Sequence, residues 1–157
     1  MDRNFQINSL DGKNFKKYFS MPASELSSIG AYLFNADECP CYPCRVSLTD
    51  ADIGESVLAI SYEHHPALSP YHSVGPIFIR KDAQMYVPEK NEIPAMLRHR
   101  LLSVRGYNSN GLMIGADTTE GNDIETILVE QFHNASVEYI HIHNAAPGCF
   151  NCSVTRA

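Results

Sequence analysis

The chain has 157 residues, 44% of them apolar and 19% charged, with 18 acidic against 12 basic side chains and a formal net charge of −6. That length fits one domain burying roughly 70% of its unfolded surface, and the composition argues against disorder. The acidic balance, with no Lys/Arg run, excludes a nucleic-acid partner, and no apolar run reaches the ~20 residues of a membrane helix. Residues 1–5 show no basic segment leading into an apolar one, which predicts no secretory signal and a cytoplasmic location. In that compartment the five cysteines read as thiols, metal ligands or redox groups rather than structural disulfides.

In chain order, residues 5–7 form a short extended start closed by the Asp11-Gly12 turn signal. Residues 15–19 are amphipathic but short, and Pro22 opens a brief helix through Leu26. Residues 31–34 read as a strand before a cysteine-rich loop, and residues 57–62 as a buried strand. The stretch 63–74 reads as a long loop carrying His64, His65, Tyr71 and His72. Strand 75–80 follows with Pro76 at its start, then a weak extended piece at 85–87 and a short helix at 93–98. Asn108-Ser109-Asn110-Gly111 joins strands 101–107 and 112–118 into the clearest hairpin, because Asn-Gly supplies positive φ angles. Asn122 or Asp123 caps the best helix, with Ile124, Ile127, Leu128, Gln131 and Phe132 at helical spacing. A strand opens at Val137, and residues 153–155 add a last short one. Many strands with few helices predict a single α+β domain over residues 1–157, built on a mainly antiparallel sheet with a few short helices.

The densest chemistry lies in the run 137–152: a strand, a Pro147-Gly148 turn and a cysteine pair. Alternation along the strand puts Val137, Tyr139, His141 and His143 on one face and Glu138, Ile140, Ile142 and Asn144 on the other. Cys41-x-x-Cys44 and Cys149-x-x-Cys152 have the spacing at which two thiolates grip one tetrahedral zinc, and the histidines can replace one pair. Candidate zinc ligands are therefore Cys41, Cys44, His141, His143, Cys149 and Cys152. A second reading is a Cys–His nucleophile drawn from Cys44, Arg45, His141 and Cys149, with Arg45 stabilising a thiolate. Cys41-Tyr42-Pro43-Cys44 superficially matches a thioredoxin-like pair, but the turn-rich sequence after it makes a poor helix. A Cys44–Cys149 disulfide would close a long loop, contributing about 4–5 kcal/mol in the chain-entropy model. A third reading is a pocket for a small anionic ligand lined by Arg45, His64, Tyr71, Arg80 and Arg105. Against all three stands a purely structural cluster, with the arginines paired to Asp50, Glu55 and Glu63.

Several stretches together resemble the bacterial family of unknown function catalogued as DUF1203. They are residues 42–48, Asp50-Ala51 with Gly54-Glu55, residues 62–66, Ser69-Pro70-Tyr71, residues 75–78, Arg105-Gly106-Tyr107, and His141-x-His143-Asn144 with Gly148-Cys149. The resemblance runs from about Tyr18 to Arg156 and implies no established activity. It implies counterparts of Cys44, Arg45, His141 and Cys149, an arginine often at the position of His143, and Cys39, Cys41 and Cys152 as additions. The expectation is an uncharacterised protein with a Cys/His/Arg cluster forming a metal (zinc) or thiol site; the alternatives are a module for small anions or a purely structural cluster with no catalytic role.

Overall fold

The computed structural model describes residues 4–157. Residues 1–3, part of the stretch read as lacking a secretory signal, lie outside the described residues. Two antiparallel sheets carry the fold. The larger contains β1 (Phe5–Asn8), β5 (Leu101–Tyr107), β6 (Met113–Glu120), β7 (Tyr139–Asn144) and β8 (Phe150–Arg156), in the order β1-β8-β7-β5-β6. The smaller contains β2 (Tyr32–Asn35), β3 (Ser56–His65) and β4 (Ser73–Arg80), in the order β2-β3-β4. Three short α-helices, α1 (Ala23–Ser28), α2 (Ala95–Arg98) and α3 (Ile124–His133), complete the α+β architecture. Among the described residues no helix is long and apolar enough to cross a membrane.

The period-two pattern of β7 decides where the main core and the polar chemistry go. Ile140 and Ile142 point to one face, where they pack with Leu102, Val104, Cys152 and Val154 under Leu128 and Phe132 of α3. Tyr139, His141 and His143 take the other face, aligned across β5 with Tyr107, Arg105 and Ser103. A second core forms around the smaller sheet from Leu58, Ile60, Ile77 and Ile79 with Phe15, Leu26, Cys44 and Val46. Phe150, at the start of β8, belongs to this second core although its strand lies in the larger sheet. The polar face of β7 therefore looks toward the far end of the smaller sheet.

Three expectations need correction. The sequence places His64 and His65 in a loop, but β3 continues through His65. Tyr62 pairs with Gly75 and His65 with Ser73, so β3 holds one residue more than β4 over this span. Such a bulge bends the strand and breaks the alternation of side chains. Val137, expected on the histidine face, is buried instead with Ile140 and Ile142, because β7 begins only at Tyr139 and the alternation does not reach back to it. The weak extended piece at 85–87 joins neither sheet; the Tyr86 N–H donates to the Val46 carbonyl (3.0 Å) and its carbonyl accepts from Ser9 Oγ (2.6 Å).

The hairpin closes at the expected turn, but of the Asn110-Gly111 pair only the glycine takes a positive φ. Asn108 Oδ1 accepts hydrogen bonds from the N–H groups of Asn110 and Leu112 (3.0 Å each), and Gly111 has φ 72°. The same turn docks on the segment after β3, where Ser69 Oγ donates to the Gly111 carbonyl at 2.8 Å. A Cβ at Gly111 would lie 2.4 Å from that of Ala67. Gly111→Ala therefore meets both a strained φ and a steric clash. The expected loss is roughly 1–3 kcal/mol in urea unfolding, and an unchanged midpoint would show that the docking contributes little.

Candidate metal centre

The β3 bulge aims His64 at the polar face of β7. Its ring centroid lies 5.0 Å from that of His143 and 6.2 Å from that of His141, and it stacks on Phe150 at 5.3 Å with an interplanar angle of 6°. One ring nitrogen from each of His64, His141 and His143 falls within 4.8 Å of the others. Among the described residues these three form the one group of His, Cys, Asp and Glu side chains so arranged.

Hydrogen bonding fixes what these rings offer. His143 donates from Nδ1 to the Gly148 carbonyl at 2.9 Å, which leaves Nε2 as a lone-pair nitrogen, buried and without a partner. Nδ1 of His64 and Nδ1 of His141 are also buried and unpartnered. Each of the three rings thus carries a buried nitrogen without a partner, in contrast with the usual satisfaction of buried polar atoms. His65 shows the ordinary case next door. It donates from Nδ1 to the Tyr71 carbonyl (2.8 Å) and accepts at Nε2 from the Tyr139 hydroxyl (2.7 Å).

Electrostatics keeps the three imidazoles neutral. Burial is the main cause, taking His64 down to about 4 and His141 and His143 to about 3. Neighbouring charge works in the same direction: Arg105 opposes protonation of all three. Arg105 lies directly across from His141 on β5 and donates from Nε to Ser103 Oγ at 3.1 Å. Neutral, lone-pair imidazole is the metal-binding form. Three protein nitrogens leave a fourth tetrahedral position open, as catalytic zinc sites do. With ligands at 2.0–2.1 Å a tetrahedral ion wants nitrogens about 3.4 Å apart, inside the 4.8 Å within which these three lie.

The other expected residues fall elsewhere. Cys44 is buried in the second core, its sulfur accepting from the N–H groups of Arg80 (3.3 Å) and Ser47 (3.5 Å). Cys152 is buried in the first core, where desolvation pushes its thiol up to about 12. Cys41 is exposed, Cys149 is half-buried, and all five cysteines are free thiols. No cysteine joins the imidazole group among the described residues. Arg80 grips Glu55 through two 2.6 Å hydrogen bonds, so it is already paired. Tyr71 sits exposed at the rim, 6.3 Å from the Tyr107 ring. Arg45 is fully buried, donating from Nε to the Phe150 carbonyl (2.7 Å) and from Nη1 to the Pro43 carbonyl. His64 is the residue whose partnership with His141 and His143 the sequence reading missed.

An α+β domain of two antiparallel sheets, with three neutral histidines gathered at their seam, is the class of protein defined by this fold and site. The chain belongs to the DUF1203 family, described as proteins of unknown function, whose family model matches residues 41–156. That span contains His64, His141 and His143 together with Arg45, Arg105 and Cys149. No curated protein and no solved structure matches the chain.

The lowered histidines link stability to pH. Their folded values lie below the ordinary 6.5, so between the two the unfolded chain binds more protons. Their contribution is fully present above pH 6.5 and is lost as pH falls through about 4 for His64 and about 3 for His141 and His143. Urea unfolding should show that decline, and it should be shallower in His141→Phe. A stability flat from pH 7 to 4.5 would remove the neutral-histidine account.

Proposed function

We propose that the protein binds one divalent transition metal ion of the zinc class through His64, His141 and His143. The observation that carries the reading is the gathering of three imidazoles with one ring nitrogen of each within 4.8 Å of the others; each ring also carries a buried nitrogen that has no hydrogen-bond partner. An all-nitrogen donor set suits zinc, copper or nickel better than magnesium or calcium, which prefer oxygen. His143 is braced from behind by the Gly148 carbonyl, the outer support that sets a ligand's tautomer and ring direction. With three protein ligands the ion keeps a position for water or another ligand, which is the arrangement for Lewis-acid chemistry.

Arg105 favours an anion as that additional ligand. Among the described residues it has no carboxylate partner. A guanidinium beside a dication is unfavourable unless negative charge lies between them, and a small carboxylate or phosphate supplies it. The expectation of an anion-binding module and that of a metal site thus become one site.

Protein purified without a metal-affinity column should take up close to one Zn²⁺ per chain by elemental analysis and titration. His64→Ala, His141→Ala and His143→Ala should each weaken uptake by more than about tenfold. Folded wild-type protein that takes up no zinc, cobalt or nickel, or variants that bind as tightly as wild type, would sink the proposal. Arg105→Gln tests the anion separately. It should leave metal uptake intact while weakening phosphate or acetate binding to the loaded protein; equal anion affinity would remove Arg105 from the site.

A further inference from the structure

His65 follows one of the three clustered histidines in sequence and lies near another in space, yet it is not among the three. Its ring centroid is 5.2 Å from that of His141. Both of its nitrogens are occupied. Nδ1 faces the Tyr71 carbonyl at 2.8 Å, and a carbonyl only accepts, so Nδ1 carries the proton. Nε2 is then the lone-pair nitrogen and accepts from the Tyr139 hydroxyl at 2.7 Å. The ring also lies against Tyr107, with centroids 4.1 Å apart and planes inclined by 32°. An imidazole held in this way has no nitrogen to offer an ion.

The three clustered histidines are not supported alike. His141 and His143 sit in a strand paired on both sides, His141 with Arg105 and Ser153, His143 with Ser103 and Phe150. His64 lacks such support. Pairing of β3 with β4 passes from Tyr62 to His65, and pairing with β2 ends at Ala59, so among the described residues neither Glu63 nor His64 has a strand partner. Stacking on Phe150 sets the plane of the His64 ring but leaves the backbone that carries it untied. The first anchored residue past the bulge is His65, which re-enters the ladder opposite Ser73. Its bond to Tyr139 ties that point to β7, two residues before His141. Its bond to the Tyr71 carbonyl, which also accepts from Ser73 Oγ at 2.8 Å, ties it to the rim.

We propose that His65 is the positioning residue of the three-histidine centre: through its bond to Tyr139 it holds the β3 bulge, and with it His64, at metal-binding distance from His141 and His143. The inference rests on the metal reading and gives His65 no contact with the ion. Two adjacent histidines thus divide the work, His64 offering a nitrogen and His65 using both of its own on the frame. While both bonds stand, His65 cannot become a fourth ligand, and the ion keeps its open position. Loss of supports that orient metal ligands commonly weakens metal affinity by about 10–100-fold.

Zinc affinity is measured by chelator competition on folded wild type, Tyr139→Phe and His65→Phe, and the absorption spectrum of the cobalt(II) form is recorded for each. His65→Phe keeps a ring against Tyr107 and loses both hydrogen bonds; Tyr139→Phe loses one hydroxyl and leaves every ring in place. Each should weaken zinc binding by about tenfold or more and change the cobalt spectrum, because His64 is no longer held. The double variant should bind no more weakly than His65→Phe, since both changes break the same bond. A role confined to stability would lower the urea midpoint of the metal-free protein and leave affinity and spectrum as in wild type. That outcome in Tyr139→Phe overturns the proposal, and Tyr139→Phe decides alone where His65→Phe does not fold. Folded wild type that takes up no metal overturns the metal reading and the positioning role together; tight wild-type binding with unaltered variants overturns the positioning role only.

Discussion

The arrangement of the site depends on one side chain, Phe150. Its strand hydrogen-bonds within the larger sheet, yet its ring is buried in the core of the smaller one. It therefore fixes the spacing of the two sheets at the point where β3 meets β7. The ring stacks on His64 and stands edge-on to His141 (5.0 Å) and His143 (5.8 Å). Its backbone carbonyl also receives Arg45 Nε. One residue thus orders the imidazoles on its ring side and the buried guanidinium on its backbone side. Aromatic packing of this kind is directional as well as hydrophobic, which lets a core residue set the angle of polar neighbours.

Much of this was legible in the sequence where local rules are strong. The Asn108–Gly111 turn requires positive φ, and the structure closes the hairpin there. Alternation along residues 139–144 put His141 and His143 on one face, opposite Ile140 and Ile142, as β7 has them. What stayed hidden was set by irregular pairing. An extra residue in β3 has no signature in composition or periodicity, yet it turns both His64 and His65 toward the larger sheet. A second bulge between Ile142 and His143 sets Asn151 into the interior, where its side chain meets Asn144. The cysteine pairs illustrate the opposite case. Spacing made them conspicuous, but spacing does not say which core a residue will enter, and Cys44 and Cys152 enter different ones.

Charge placement separates structural arginines from chemical ones. The chain carries 18 acidic residues against 12 basic ones, so carboxylates are in surplus. Arg80 takes Glu55, Arg98 takes Glu125 and Arg100 takes Asp50. Against that surplus, two arginines near the polar face of β7 have no carboxylate partner among the described residues, Arg45 and Arg105. Both oppose protonation of His143, one from behind the turn and one from the neighbouring strand. A region holding two guanidinium groups, neutral imidazoles and no carboxylate is electrostatically incomplete. The physical remedies differ with depth: the fully buried Arg45 can be balanced only by a group of the chain itself, and the half-buried Arg105 can be balanced by an anion arriving from solvent. That difference in depth is why anion binding is assigned to the Arg105 side of the seam.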